Sequence, residues 1–160
     1  MGSFLGGIFA VTAMAHQFDV DKGGKAYFLH CMTVMNNARK MGVTSEVSLA
    51  LAVSHDVKED HPEMVQHLLI HAKAFGVLEE YESGLDLLTR RANEPYDDFI
   101  QRLIDAARID IIRIKKGDLQ HNSCITRLKG VRPSDLARVQ AYHKSWLKLE
   151  QAEFNLNVTA

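Results

Sequence analysis

His55 and Asp56 stand side by side in Val53-Ser-His-Asp-Val-Lys-Glu-Asp60, and Glu59 and Asp60 follow at once. Upstream, Val47, Leu49, Ala50, Leu51, Ala52 and Val53 form an apolar run, so the segment carries its polar cluster into a core or to the mouth of one. Uncompensated carboxylates are costly there. A metal ion turns that cost into binding energy, and two further ligand types, His30 and Asp118, lie elsewhere in the chain. Imidazole and carboxylate together suit Mn, Fe, Zn or a similar divalent ion. Four protein ligands on a six-coordinate ion leave room for water and a substrate oxygen, and a bound ion brings the pKa of water from about 15.7 to about 7. Glu59 or Asp60 then accepts the water proton or hands one to a leaving group.

These residues reach one another only if separate elements converge. Hydrophobic spacing of three and four dominates over alternation, which sets the class as all-α. The pattern predicts helices over 7–18, 27–41, 45–57, 62–75, 78–91, 95–105 and 133–154, with a short piece at 109–115 and another helix at 118–128, broken near Gly117. Ser45 or Thr44 supplies an N-cap, and Pro62, Pro95 and Pro133 suit first helical turns. Because Pro62 forces Asp60-His61 out of helical geometry, the helix bearing His55 is expected to end between Val57 and Glu59. Glu59 and Asp60 then sit at a corner facing a cleft. Residues 1–7 read as a flexible lead. The loop Asp19-Val-Asp-Lys-Gly-Gly-Lys25 combines two glycines, which allow close backbone approach, with Lys22 and Lys25 as phosphate contacts.

With 160 residues, 46% of them hydrophobic, the chain fits a single domain spanning 1–160. Its formal net charge of −1, from 19 Lys and Arg against 20 Asp and Glu, provides no field for nucleic acid or an anionic membrane. The apolar run from Phe4 to Ala15 falls short of the roughly 20 residues a membrane span needs and lacks a cationic start. Cytoplasm is the expected location. Cys31 and Cys124 read as two reduced thiols. The final helix, with Leu136, Val139, Tyr142, Trp146 and Leu149 at helical spacing, reads as a lid on the core or as a homo-oligomer surface.

Three motifs in order carry a family resemblance. They are Lys22-Gly-Gly-Lys-Ala-Tyr-Phe-Leu-His30, then His55-Asp56-Val-Lys-Glu59-Asp60, then Lys115-Lys-Gly-Asp118-Leu-Gln-His-Asn122. From about Ala13 to Leu149 the chain resembles the HD-domain metal phosphohydrolases, and more narrowly the hydrolase domain of Rel/Spo-type alarmone enzymes and their small stand-alone relatives. The resemblance implies a compact helical bundle of about seven to nine helices. It implies metal ligation by His30, His55, Asp56 and Asp118, acid/base work by Glu59 and Asp60, and nucleotide contacts by Lys22 and Asn122. The implied metal is manganese, with Fe2+, Zn2+, Co2+ or Mg2+ as substitutes. The implied reaction removes the 3′-pyrophosphate of guanosine tetra- or pentaphosphate, giving GDP or GTP.

The chain departs from that family pattern at Asp21, where arginine usually precedes the loop lysine, and at Ala26 and Cys31, where proline is usual. Asp21 keeps one rival open, a phosphohydrolase of another nucleotide such as a deoxynucleotide or a nicotinamide dinucleotide phosphate; a rival from a different class is a catalytically inactive nucleotide-sensing module, against which the complete ligand set argues. Among the remaining residues, Lys115 or Lys116 is expected to meet phosphate. His121 is open between the pocket and a turn cap, and Tyr96 reads as a helix staple. Arg127 cannot be ranked. His67 and His71 share a helix face but lack the glutamate of a zinc-protease motif. His16, His61 and His143 read as surface or packing residues, and Cys31 as core filler.

Overall fold

A computed structural model describes residues 2–159, so that Met1 of the expected lead and Ala160 at the end of the expected domain lie outside the described residues. Those residues form an all-α arrangement: α1 (Phe4–Ala15), α2 (Phe28–Lys40), α3 (Glu46–Ser54), a one-turn α4 (Val57–Asp60), α5 (Val65–Ala74), α6 (Leu78–Leu88), α7 (Tyr96–Asp105), α8 (Ile109–Asn122) and α9 (Pro133–Thr159). The only pairing of extended backbone among them is an isolated bridge, Val20 to Ala26, which closes the loop between α1 and α2. No helix is long and apolar enough to cross a membrane among the described residues.

Helix α3 is the axis. Ser45 caps it as its sequence position predicts, accepting from the Ser48 amide, and every residue from Val47 to Ser54 is buried. It is apolar all round because α1, α2, α6 and α8 surround it. A surface helix would show one apolar stripe instead. Helix α9 lies over α8 and α7, burying Leu149 and Ala152 while Leu136 and Leu147 stay exposed.

Several boundaries differ from the sequence reading: α1 ends at Ala15, α6 at Leu88 and α8 at Asn122, followed by a 3-10 turn at Ile125–Arg127, and α9 runs on to Thr159. Three further differences have a clear physical reason. The chain is helical from Phe4, not from Gly7, because the Ser3 hydroxyl accepts from Gly6 N at 3.0 Å and Glu46 Oε1 accepts from Leu5 N at 3.0 Å. The Phe4 ring is buried edge-on to Tyr81 and stacked on His71, which anchors a segment expected to be loose. Secondly, α3 stops at Ser54, earlier than Pro62 alone would place its end, and the chain turns at His55 and Asp56 before resuming as α4. Glu59 and Asp60 therefore ride on a separate single turn. Pro62 opens a 3-10 turn through Met64, and α5 follows it.

The third difference sets the site. Glycine is a poor helix former, and a break is expected near Gly117, yet α8 runs unbroken from Ile109 to Asn122. Tertiary packing decides the matter. A Cβ at Gly117 would stand 3.1 Å from Val34 O, 3.2 Å from Asn37 Cβ and 3.3 Å from Ala38 N, so α2 presses its backbone against α8 at that residue. Asn37 Nδ2 donates to Gly117 O at 3.1 Å and locks the crossing. Further along α2 toward its start is His30, and the next residue of α8 is Asp118.

Substituting valine at Gly117 is expected to cost about 1–3 kcal/mol, the usual penalty for overpacking a tight contact, read as a lower midpoint in thermal unfolding. The same variant should bind Mn2+ more weakly, because the helices carrying two ligands are pushed apart. Unchanged stability and unchanged metal affinity would show that this crossing does not set the site.

Candidate metal centre

The end of the broken helix α3, the first turn of α2 and the last turns of α8 meet at one point. His30 Nε2 lies 3.4 Å from Asp56 Oδ2 and 3.4 Å from Asp118 Oδ1. His55 Nε2 lies 2.9 Å from Asp56 Oδ2 and 3.7 Å from Asp118 Oδ1. His30, His55 and Asp118 are all buried and offer ligand atoms within 4.8 Å of one another. Asp56 is set to one side of that trio but touches both imidazoles. Divalent ions hold nitrogen and oxygen at about 2.0–2.2 Å, so neighbouring ligand atoms stand roughly 3–3.5 Å apart. The two His30 spacings, 3.4 Å each, fall in that range, and the two of His55, 2.9 and 3.7 Å, lie just to either side of it.

Each imidazole is oriented from behind. His55 Nδ1 is 2.9 Å from Ala52 O, so the N–H sits on that nitrogen and Nε2 turns its lone pair toward the carboxylates. His55 Nε2 is buried and makes no hydrogen bond. His30 Nδ1 is 2.6 Å from His121 Nδ1, and the tautomer in which His30 donates leaves its Nε2 free as well. Burial, and then the neighbouring His30, push His121 down to about 4, which keeps it a neutral partner for His30. The open choice for His121 thus resolves to neither the pocket wall nor a turn cap: it positions the His30 ring.

Two imidazole lone pairs aimed at two carboxylates need a cation between them. Burial alone would raise Asp118, but Lys115, donating to Oδ2 at 2.8 Å, and then His55 hold it well below the ordinary carboxylate range. Asn122 Nδ2 donates to the other oxygen at 2.5 Å. Asp56 is likewise held down despite burial, chiefly by the His55 charge. Its Oδ2 also accepts from the Tyr27 hydroxyl at 2.6 Å. Burial opposes charging of His55, yet Asp56 and Asp118 push it up to about 10. Without metal, a proton on His55 fills the role that an ion would take.

Above this floor opens a cavity of about 370 Å³. His30, Asp56 and Asp118 face it, while His55 closes the centre from behind. Lys22, Glu59, Asp60, Lys115 and Asn122 line it, as expected of them. Asp60 stands at the mouth with its pKa raised, first by partial desolvation and then by the Asp56 charge. Glu59 lines the wall too, but its Oε1 accepts from the Arg90 amide at 2.6 Å, a tie that nothing in the spacing around Pro62 foreshadows. Lys25 does not reach the cavity. Its amide and carbonyl are turned inward on Asp21, which closes the loop and leaves the side chain exposed outside.

Asp21 has a structural job. Its Oδ1 accepts from the Gly23 and Lys25 amides at 2.8 and 2.9 Å, and its Oδ2 accepts from Arg127 Nη1 at 2.9 Å. Arg127 then donates to Asn122 Oδ1 at 3.0 Å, bringing a guanidinium to the cavity wall from the 3-10 turn Ile125–Arg127 that follows α8. Arg127, Tyr27, Tyr96 and Tyr142 all line the cavity, and sequence reasoning places none of them there. Tyr27 lies within the first motif and is legible as a member of it. Arg127 and Tyr142 carry no local signal. Tyr96 combines the expected staple, edge-on to Phe99, with a place on the wall beside the Lys115 ammonium.

The remaining histidines separate clearly. His71 Nε2 is bonded to Phe4 O at 3.1 Å, whereas His67 and His143 are exposed. His16 and His61, expected on the surface or in packing, instead converge on Asp19. Cys31 is a buried free thiol, next to a ligand but pointing into the core, and Cys124 is exposed and free. Comparison with known proteins found no matching family model and no matching curated protein.

The His55 proton gives the metal affinity a definite pH dependence. Raised above its ordinary value of about 6.5, His55 stabilises the metal-free fold below that pH, and this contribution is lost as pH climbs toward about 10. An ion must expel that proton, so apparent Mn2+ affinity is expected to rise with pH until about pH 10, followed by titration calorimetry. Asp118→Ala should abolish binding at this centre at every pH. A pH-independent affinity would remove the proton from the account.

Proposed function

We propose that the chain is a metal-dependent nucleotide phosphohydrolase, acting on the 3′-pyrophosphate of guanosine tetra- or pentaphosphate. The observation that carries this reading is the convergence of His30, His55, Asp56 and Asp118 at the floor of a polar cavity whose rim holds both a raised-pKa carboxylate and several cations. The narrower substrate assignment rests on the family resemblance of the three motifs.

A divalent ion in the centre supplies Lewis acidity toward a phosphoryl oxygen and makes water easier to deprotonate at neutral pH. The protein's own groups do the rest. Asp60, more basic than an ordinary carboxylate, takes a proton from the attacking water. The water oxygen bonds to the phosphorus next to the ribose, the bond from phosphorus to the ribose 3′ oxygen breaks, and Asp60 returns the proton to that oxygen. Lys22, Lys115 and Arg127 gather phosphate charge around the cavity. Burial, and then repulsion from Arg138 and Arg127, push Lys22 down, a sign of a locally cationic wall suited to an anion. Asn122 keeps Asp118 and Arg127 in register.

Asp21 sustains the rival reading. Its carboxylate is committed to the loop and to Arg127, so the loop contributes no guanidinium for stacking on a base. Another nucleotide bearing a phosphate ester is the alternative on the same machinery.

The Mn-loaded protein should release pyrophosphate and GDP from guanosine tetraphosphate when screened against a nucleotide panel with phosphate and pyrophosphate measured separately. Release of phosphate from another nucleotide, with no turnover of this one, would transfer the assignment to the rival. Asp60→Asn is expected to lower kcat by about 10²–10⁴ with metal content unchanged. A variant that kept full activity would exclude Asp60 from proton transfer.

A further inference from the structure

Beside the metal centre lies a second group of ligand-type side chains that the hydrolytic reading does not use. His16, Asp19 and His61 come from the end of α1, the loop after it and the turn after α4, and their ligand atoms lie within 4.8 Å of one another. His16 Nδ1 is 2.8 Å and His61 Nε2 is 2.6 Å from the same oxygen, Asp19 Oδ2. The two rings stand nearly perpendicular with centroids 4.8 Å apart.

Hydrogen bonding alone leaves this group incomplete. Both imidazoles crowd onto one carboxylate oxygen, while His16, only 1% exposed, keeps its Nε2 buried with no partner. The frame around them is fixed from outside: the His16 amide donates to Thr12 O at 3.1 Å, the Tyr27 amide donates to Asp19 O at 2.9 Å, and the His61 amide donates to Val57 O at 2.8 Å. Three potential ligands are thus held by backbone bonds that do not depend on the cluster itself. His61 and Asp19 keep 21% and 38% of their side chains open to solvent, so an ion has a way in and room for water.

We propose that His16, Asp19 and His61 form a second divalent-cation site. Two imidazoles and a carboxylate select zinc, manganese, iron or cobalt over magnesium or calcium, and three protein ligands leave open coordination positions. Tyr27 joins the two sites, with its ring centroid 4.8 Å from that of His16 and 5.1 Å from that of His30, and its hydroxyl on Asp56. The cluster is electrostatically linked to Asp60, since His16 and His61 lower the pKa of that carboxyl while Asp19 raises it. The site does not require the proposed reaction: it stands whether or not the chain hydrolyses a nucleotide.

The test is metal stoichiometry. Purified metal-free protein is loaded with Co2+ or Zn2+, freed of excess by gel filtration and assayed for bound metal, with Co2+ absorption in the visible as a second readout. Two equivalents are expected for the wild type. One should remain in Asp19→Asn and in His61→Ala, with the first-centre band intact, and one in Asp118→Ala, with that band lost. Far-UV circular dichroism confirms folding, and His61→Gln replaces His61→Ala should the smaller side chain unfold the turn. A wild type that binds a single equivalent lost in Asp118→Ala, or Asp19 and His61 variants that retain two, would overturn the proposal.

Discussion

The arrangement depends on one close approach, that of α2 to α8 at Gly117. A Cβ there would meet Val34 O, Asn37 Cβ and Ala38 N at 3.1–3.3 Å, so any other residue would have to push the two backbones apart by a few tenths of an ångström. From that contact the rest follows geometrically. His30 and Asp118 sit close to the crossing on opposite helices and meet at 3.4 Å. Helix α3, packed against both, delivers His55 and Asp56 into the same gap. A mixed cluster of imidazoles and carboxylates is therefore imposed by helix packing rather than gathered by attraction among its members. Electrostatics alone would disperse the two acids.

What keeps such a cluster tolerable is compensation from the outside. Burial drives carboxylates toward the neutral form, yet Lys115 and then His55 hold Asp118 ionised, and the His55 charge does the same for Asp56, while Asn122 and Tyr27 add hydrogen bonds to these carboxylates. Lys115 is itself buried, which opposes its charge, but Asp118 holds it protonated, and its ammonium lies over the Phe99 ring. The rings of Tyr96 and Phe99 thus give a desolvated cation an electron-rich surface. Removing one member of such a set leaves the others unpaired, which is generally costlier than the pair was favourable.

Much of this is legible in the sequence because the informative residues are chemically conspicuous. His30, His55, Asp56 and Asp118 are polar groups at apolar spacing, and that contradiction between residue type and position already points to a site. The all-helical class follows from periodicity, and the Ser45 cap from its residue type. Local propensity makes Gly117 a break, whereas its place against α2 is a tertiary fact. Residues 1–7 look like a loose lead for the same reason, yet Phe4 is helical through its burial against Tyr81 and His71, residues far along the chain. Arg127 and His121 belong to the site through contacts that span 106 and 91 residues, and no spacing rule reaches that far. Lys25 fails in the opposite sense, since its charge suits phosphate but its loop folds back on Asp21.

The stop between α3 and α4 has a wider meaning. On a continuous helix, adjacent side chains diverge by about 100°, and two neighbours such as His55 and Asp56 would look in different directions. Here α3 ends at Ser54 and the chain restarts at Val57: His55 keeps helical dihedrals (φ −56°, ψ −31°), Asp56 moves away from them (φ −94°, ψ −12°), and the two side chains meet at 2.9 Å. The pairing belongs to the joint as much as to the side chains. The two letters His-Asp are thus carried by a joint between two helices, and it is at Asp56, not His55, that the backbone leaves ideal helical values.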